Sequence, residues 1–293
     1  MSSSLSDLDL LAVGTARDCG KTIRGDVFRL YEALKTCRRL SWFVVESDSA
    51  DGTVRELESL AKEVPGFRFI SFGNLRETLS LRTQRIAHCR NAYLKELRSN
   101  PLYAEVGYLV VADLDGTNEL VTAEGFASCW SRGDWGACTA NQRGPYYDIW
   151  ALRHNVWSPG DCLEQVRFLT DHGVEAEAAS WAGYYAKMIE IDRAEEWIEV
   201  DSAFGGLAVY RREALENANY VGSDEAGRGV CEHVALNCQI RDNGYKIFIN
   251  PQLINAGEIS HSRERVLTKR AKDRIAGRLR DLKWKLLGPR LRK

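Results

Sequence analysis

The sequence predicts an α/β protein in which a parallel β-sheet is flanked by helices. Short apolar runs alternate with segments of helical periodicity along the first 118 residues, and this alternation is typical of parallel sheets with crossover helices. The chain has 293 residues, of which 44% are hydrophobic and 28% charged. A chain of this length and composition can bury a substantial core.

The first half of the chain shows the alternation most clearly. Strands are expected where apolar runs end in polar or glycine-containing loops, and helices where apolar residues recur every three or four positions. These patterns predict strands over 8–13, 40–46, 67–72 and 105–112, separated by helices over 21–38, 54–63 and 81–97.

The second half is less regular. Its patterns predict helices over 119–132 and 231–242, and strands over 135–141, 200–211 and 246–250. No internal repeat and no clear linker divides the chain, so a single domain is the simplest interpretation.

Two acidic residues, Asp113 and Asp115, directly follow the apolar run of the fourth predicted strand. Side chains two positions apart in an extended segment point the same way. Two carboxylates at one place repel each other unless a cation lies between them, and such oxygen ligands suit Mg²⁺ or Mn²⁺, which in turn bind a diphosphate. The alternative is a solvated turn, because Asp, Gly and Thr are common turn residues.

Ligands of parallel α/β sheets bind beyond the carboxyl ends of the strands. We therefore expect Arg17 and the loops 46–52 and 113–117, which all follow predicted strands, to lie at one edge of the sheet. A metal and diphosphate site at that edge is the function that the residues favour.

The segment DLDGT at 113–117 resembles two known motifs. It is similar to the metal-binding DxD motif of GT-A glycosyltransferases, and also to the first motif of haloacid-dehalogenase-like phosphatases, in which the first Asp is a nucleophile. The phosphatase motif usually follows the first strand and needs a later lysine and acidic pair, for which Asp224-Glu225 is the candidate. A non-catalytic nucleotide- or carbohydrate-binding protein is a third interpretation.

Further motifs resemble, in order, those of the fungal capsule-associated (alpha-1,3-)mannosyltransferases and related GT-A enzymes. The resemblance runs from about residue 12 to about residue 255, with Asp18 in place of the family's Asn and His154 in place of its Asp. The matching segments are ARDC at 16–19, VVESDSADGT at 44–53, RIAHCRN at 85–91, YDIWALR at 147–153, FGG at 204–206 and CEH at 231–233.

The resemblance implies a GT-A (Rossmann-like) α/β fold with a mixed, mainly parallel sheet flanked by helices. It also implies a nucleotide-sugar-dependent hexosyltransferase in polysaccharide or glycoconjugate synthesis. The donor would be a GDP- or UDP-sugar, with a mannose-like hexose favoured, and the cofactor Mn²⁺ or Mg²⁺. The acceptor would be a glycan or a lipid-linked glycan. One domain is implied over 1–262, with a nucleotide-sugar half over about 8–118 and an acceptor half over about 119–262.

Donor-binding residues are implied by the motifs of the first half. Glu46 ends a strand and is predicted to accept hydrogen bonds from a base or ribose. Guanidinium groups match phosphate in a bidentate manner, so the arginines of the motifs are predicted to neutralise the diphosphate. Arg82 is instead interpreted as part of a solvated helix face. The predicted donor-binding set is Arg17, Glu46, Asp48, Arg85, Arg90 and Asp113.

Acceptor-binding residues are implied by the motifs of the second half. Trp150 can stack on a sugar ring, although packing is the more common role of a tryptophan. Gly205 and Gly206 allow the backbone to approach a ligand closely, or else form a simple bulge or turn. Arg153 completes the predicted acceptor-binding set.

Glu232 and Asp115 are the predicted catalytic residues. In inverting GT-A enzymes an acidic residue at the position of Glu232 acts as a base toward the acceptor hydroxyl, and in retaining ones it can orient the acceptor. The alternative for Glu232 is a carboxylate favoured by the dipole at a helix start. The predicted metal ligands are Asp113, Asp115 and His261, since imidazole is an acceptable ligand for Mn²⁺.

The charges of the chain are unevenly distributed. Residues 263–293 carry 13 lysines and arginines against three acidic residues, although the whole chain has a net charge of −1. Apolar residues recur every three or four positions in this segment, which predicts a basic amphipathic helix. It is expected either to bind an anionic membrane surface or to pack on the acidic body. Nucleic acid is a less favoured partner because no aromatic-basic recognition motif accompanies the charge.

The sequence favours a cytoplasmic location. The eight cysteines are scattered without a CxxC motif, as expected for reduced thiols. The first residues lack the basic region of a secretory signal, and no apolar run approaches the length of a membrane span. Peripheral contact with the inner face of a membrane is predicted only through 263–293.

Overall fold

The strands of the protein were defined in a computed structural model, which describes residues 4–258. His261 and the predicted basic helix over 263–293 lie outside the described residues. The strands found within 4–258 are β1 (Asp9–Ala16), β2 (Arg39–Glu46), β3 (Phe67–Ser71), β4 (Tyr108–Ala112), β5 (Ala137–Gln142), β6 (Ile198–Val200), β7 (Leu207–Arg211) and β8 (Ile247–Ala256).

Helices flank these strands on both faces. The α-helices found within the same residues are α1 (Ile23–Leu34), α2 (Thr53–Glu63), α3 (Arg82–Ser99), α4 (Ala123–Ala127), α5 (Cys162–Asp171), α6 (Ala176–Gly183) and α7 (Glu232–Asp242).

The described strands form one eight-stranded sheet in the order β3-β2-β1-β4-β7-β5-β8-β6. The pairs β2–β3, β1–β2, β1–β4 and β5–β8 are parallel, whereas β7 is antiparallel to β4 and β5, and β6 is antiparallel to β8. The predicted α/β fold with a mixed, mainly parallel sheet flanked by helices is therefore confirmed.

The central strands are buried on both faces, which explains why their sequences are almost continuously apolar. Leu11 and Val13 of β1 pack in one hydrophobic core together with Tyr93 of α3. Leu10, from the opposite face of the same strand, packs in a second core together with Leu30 of α1. Alternation of side chains along one strand thus supplies both layers.

Two predictions in the second half are wrong. The helix predicted over 119–132 is reduced to α4 and a short 3-10 turn, because Thr122 caps α4 and the Leu120 amide donates to the Asn255 carbonyl at 2.8 Å. The single strand predicted over 200–211 is divided between β6 and β7. Gly205 and Gly206 have φ of +73° and +82° and turn the chain between them.

Three further features were not predicted. Helices α5 and α6 follow the aromatic stretch 145–161, and strand β8 continues beyond Asn250 and Pro251 to Ala256. No helix within residues 4–258 combines the length and the apolar character that crossing a bilayer requires.

Candidate active site

A cleft of about 500 Å³ opens at the carboxyl ends of β1, β2 and β4. The start of α3, the first residues of α7 and the aromatic segment around Trp150 also line the cleft, and α3 and α7 contact each other there. Among the predicted site residues, those that line the cleft are Arg17, Asp48, Arg85, Arg90, Asp113, Asp115, Trp150 and Glu232.

The loops that follow β1 and β2 are joined by hydrogen bonds at the rim of the cleft. The Asp18 carboxylate accepts a hydrogen bond from the Ala50 amide at 2.8 Å, and the Cys19 amide donates to the Thr53 hydroxyl at 2.9 Å. Because β1 and β2 are parallel, these loops emerge at the same edge, as the sequence predicts.

The two aspartates at the end of β4 occupy the floor of the cleft. The Asp113 amide donates to the Gly206 carbonyl at 2.9 Å, so the backbone stays attached to the β7 side after the strand ends. The Asp115 carboxylate accepts a hydrogen bond from the Thr117 hydroxyl. The Gly116 amide donates to the buried Asp26 of α1 at 2.7 Å, which ties the turn to that helix.

The environment of Asp113 is unfavourable to its negative charge. About a third of its side chain is exposed, yet the loss of hydration within the cleft raises the pKa of Asp113 to about 7. The positive charge of Arg90 opposes this shift, and the negative charge of Asp115 adds to it. A divalent cation between the two carboxylates would relieve this penalty.

The donor set of the cleft fits a metal ion that is shared with a substrate. No group of three or more His, Cys, Asp and Glu side chains within residues 4–258 is arranged to hold a metal alone. Mg²⁺ is usually bound through one or two carboxylates plus substrate phosphates and water. Asp113 and Asp115 would provide those two carboxylates, whereas the predicted ligand His261 lies outside the described residues.

Arg90 lines the cleft but is buried, with 4% of the residue exposed. Its guanidinium contacts Asp113 at 3.2 Å and Glu232 at 3.2 Å, and it lies over the rings of Phe204 and Tyr220. It therefore joins the predicted metal carboxylate to the predicted acceptor-side carboxylate. Direct neutralisation of phosphate by Arg90 stays a prediction.

The remaining arginines of the cleft differ in how closely their guanidinium groups are paired with protein carboxylates and carbonyls. Arg85 contacts the Asp48 carboxylate at 3.3 Å and donates to the carbonyls of Leu79 and Ser80, so it shapes the part of the cleft that follows β2. Arg17 is 37% exposed and 3.4 Å from Asp18. Arg82, which the sequence places on a solvated helix face, is exposed but also lines the cleft. Its position at the start of α3 is the signal that could have identified it.

Other predicted site residues lie behind the cleft wall. Glu46 is 1% exposed and accepts hydrogen bonds from the Ser49 amide and the Ser71 hydroxyl. Arg153 contacts Asp161 at 2.9 Å, and the same carboxylate accepts a hydrogen bond from the Trp150 indole at 3.1 Å. Contact of Glu46 with a nucleoside, and of Arg153 with an acceptor, stays a prediction.

The glycine pair is enclosed by the floor of the cleft. A Cβ atom at Gly206 would lie 2.5 Å from the Tyr147 hydroxyl and 3.1 Å from the Thr117 methyl group. Both glycines also have positive φ, so any larger residue would be strained there. The pair brings backbone, rather than side chains, against the DLDGT turn.

Asp148 is a carboxylate of the cleft that is not among the site residues predicted from the sequence. It accepts a hydrogen bond from the Gly205 amide at 2.9 Å. Burial raises the pKa of Asp148 and the Glu232 charge contributes, while the backbone hydrogen bonds oppose the shift. It stands between Tyr147 and Trp150 in a motif already identified, which is the signal that could have pointed to it.

His233 is a second cleft residue that the sequence analysis does not select. Its ring is 3% exposed and stacks on Phe204 with a centroid distance of 3.8 Å. Neither ring nitrogen has a hydrogen-bond partner among the described residues. Burial, together with the charge of Arg90, holds the pKa of His233 well below its usual range.

The buried neutral His233 predicts how stability depends on pH. Below the ordinary histidine pKa of about 6.5 the unfolded chain binds a proton that the folded protein does not, so folding stability falls as pH decreases through that value. We expect His233→Phe to remove up to about 1.4 kcal/mol per pH unit of this loss. Urea unfolding between pH 7.5 and 5 would measure the two slopes, and equal slopes would contradict the prediction.

No protein-family model matches the chain, and comparison with curated proteins gives no match either. Among solved structures, the chain is similar to the mannosyltransferase PcManGT from Pyrobaculum calidifontis in complex with GDP-Man and Mn²⁺. The identity is 18%, over 86% of this chain and 57% of that chain, with a TM-score of 0.48.

It is also similar to S. aureus TarS 1–349 in complex with UDP-GlcNAc, with 12% identity over 86% of this chain and 59% of that chain and a TM-score of 0.49. Mannosyl-3-phosphoglycerate synthase from Rubrobacter xylanophilus has 16% identity over 98% of this chain and 76% of that chain, with a TM-score of 0.41. The match thus covers less than two thirds of the length of PcManGT and of TarS 1–349. The residues of the cleft are therefore the basis for a functional assignment.

Proposed function

We propose that the chain is a metal-dependent glycosyltransferase of the GT-A type, which moves a hexose from a nucleoside-diphosphate sugar to a glycan or lipid-linked acceptor. The observation that carries this proposal is the position of Asp113 and Asp115 at the carboxyl end of β4, in the same cleft as Arg17 and Arg82. A divalent ion held by carboxylates and the neighbouring guanidinium groups would both bind the oxygens of a diphosphate.

The residues of the cleft divide between the two substrates. Asp113 and Asp115 would hold Mn²⁺ or Mg²⁺, which supplies stabilisation of the charge that develops on the leaving nucleoside diphosphate. Arg17 and Arg82 would contact the phosphates, since they are more exposed to the cleft than Arg90. The preference for a mannose-like hexose and a GDP- or UDP-linked donor rests on the sequence resemblance.

The acceptor side is proposed to lie between Trp150 and Glu232. The Trp150 ring is oriented by the hydrogen bond from its indole to Asp161, and it borders the cleft. Glu232 is 5% exposed, begins α7 and faces the same cleft. Its carboxylate would accept the proton of an acceptor hydroxyl in an inverting reaction, or orient that hydroxyl in a retaining one.

The proposed role of Glu232 predicts a selective defect. Glu232→Gln should retain binding of the nucleotide sugar but lower kcat by about 10²–10⁴-fold, the usual contribution of a positioned acid or base. Donor binding by calorimetry and transfer rates would separate the two effects. Glu213→Gln is the matched control, because Glu213 is exposed, follows β7 near the start of β4 and does not line the cleft. Normal transfer by Glu232→Gln would exclude both the base and the orienting role.

The phosphatase alternative is supported less well by the cleft. Asp224, from its candidate acidic pair, is bound to the Arg228 side chain at 2.7 Å and does not line the cleft. The part of the chain described by the structure also places no lysine at the cleft wall, although a lysine is part of that phosphatase site.

A thermal-shift screen of GDP- and UDP-sugars with and without Mn²⁺ tests the proposal, because a ligand that binds only the native state stabilises it. We expect at least one nucleotide sugar to raise the melting temperature in a metal-dependent way, and to be consumed when a glycan acceptor is added. Phosphate release from a phosphosugar would support the phosphatase alternative. Binding without turnover would support a non-catalytic protein.

The proposed partner of the segment 263–293 is an anionic membrane surface that carries a lipid-linked acceptor. Its support is the excess of lysine and arginine over acidic residues in this segment, which attracts anionic headgroups. A location at the inner face of a membrane is part of the same proposal.

A further inference from the structure

Three buried amide side chains are joined by hydrogen bonds beneath the floor of the cleft. Asn118, Gln142 and Asn255 are each at most 1% exposed. The Gln142 amide donates to the Asn255 side-chain oxygen at 3.1 Å, and the Asn255 amide donates to the Asn118 side-chain oxygen at 3.0 Å. The Asn118 amide in turn donates to the Asp113 carbonyl at 2.6 Å, which connects this network to the backbone of the cleft.

The same amides also hold the glycine turn. Asn255 and Gln142 donate to the Gly205 carbonyl at 2.8 and 3.1 Å, and Asn118 lies 3.4 Å from the Gly206 carbonyl. These bonds begin where the sheet ends, since the last paired residues of β4 and β7 are Ala112 and Leu207. Beyond that pair, the side-chain amides add to the single backbone hydrogen bond between the Asp113 amide and the Gly206 carbonyl.

Burying these groups is costly unless every bond is made. An unpaired buried amide loses about 1–3 kcal/mol, whereas an apolar side chain of similar size has no such requirement. The Asn118 and Asn255 side chains are bonded through both their nitrogen and oxygen atoms, whereas the Gln142 side-chain oxygen has no hydrogen-bond partner among the described residues. A bonded polar network gives one defined geometry in return. The geometry that this network defines is the path of the backbone through Asp113, directly before the Asp113–Asp115 pair.

We propose that Asn118, Gln142 and Asn255 are positioning residues, which fix the backbone of Asp113 so that the carboxylates of Asp113 and Asp115 meet one divalent ion. This inference rests on the proposed function for the presence of the ion. It assigns to β5 and β8 a part in metal binding although neither strand supplies a ligand within the described residues.

Asn255→Ala and Asn250→Ala form a matched pair of variants. Both asparagines are fully buried on β8, and each donates a side-chain hydrogen bond, but Asn250 donates to the Ser128 hydroxyl at 2.8 Å, away from the cleft. Mn²⁺ binding in the presence of GDP or UDP would be followed by the electron paramagnetic resonance signal of free Mn²⁺. We expect Asn255→Ala to weaken Mn²⁺ binding by about 10–100-fold, as for other outer partners of metal ligands, and Asn250→Ala to bind like the wild type.

A milder variant keeps the inference testable if Asn255→Ala does not fold. Gln142→Met retains the side-chain length and removes the two hydrogen bonds that the Gln142 amide donates to Gly205 and Asn255. Because Gln142 is the member of the network most distant from Asp113 in this series of bonds, the variant should weaken Mn²⁺ binding by a smaller factor. Wild-type affinity in folded Asn255→Ala or Gln142→Met, or equal weakening in Asn250→Ala, would overturn the positioning role. Absence of Mn²⁺ binding by the wild type would instead overturn the metal role in the proposed function.

Discussion

Asp115→Asn is expected to lower sugar transfer by at least about 10²–10³-fold, the usual cost of removing a group that stabilises developing charge. The fold should remain intact, because Asp115 is exposed and substitution at an exposed site usually changes stability by no more than about 0.5 kcal/mol. Initial rates at several Mn²⁺ concentrations and a thermal melt would measure both effects.

Asp134→Asn is the control for the loss of one carboxylate. Asp134 is 54% exposed and contacts Arg132, on a segment that does not line the cleft. This variant should transfer sugar like the wild type. Full activity of Asp115→Asn, or of the wild type in excess chelator, would exclude the proposed metal role.

Arg90→Met is expected to have the largest effect on stability. The substitution leaves Asp113 and Glu232 without their shared cation inside the protein, and breaking such a buried pair usually costs about 3–5 kcal/mol. Transfer should also be lost, since both carboxylates depend on Arg90 for their position. Urea unfolding and activity measurements would test the two expectations.

A double variant separates the charge of Arg90 from its packing. Arg90→Met combined with Glu232→Gln should lose less stability than the sum of the two single variants, because the neutral glutamine no longer needs the cation. Arg24→Met removes an exposed arginine that contacts Glu56 and Glu63 and should cost no more than about 1 kcal/mol. Equal losses in Arg24→Met and Arg90→Met would contradict the bridging role of Arg90.

Local patterns were sufficient to predict most of the nucleotide-binding side of the fold. Strands β1, β2 and β4 are apolar because both of their faces are buried, so each leaves a clear signal in its own residues. The convergence of Arg17, Asp48 and Asp113 on one cleft followed from the rule that parallel strands end at the same edge.

The second half resisted prediction because its structure depends on distant contacts. The Gly205–Gly206 turn sends β7 between β4 and β5 and separates it from β6, although the residues from 200 to 211 read as one strand. Helix α4 is short because the chain before it is attached to β8. The glycine pair is a local signal for a turn, but no local pattern specifies which strands β7 pairs with or that the chain before α4 is attached to β8.

The sequence by itself determined the sheet class, the carboxyl ends of β2 and β4 and the charged residues that meet there, because these depend on periodicity within short segments. Only the tertiary structure decided which charges remain available to a ligand. Arg90 is enclosed by Asp113 and Glu232, which are 23 and 142 positions away in the chain, and Asn118 meets Asn255 across 137 positions. Such pairings are selected by packing and by the cost of leaving buried polar groups unpaired, and no local pattern encodes them.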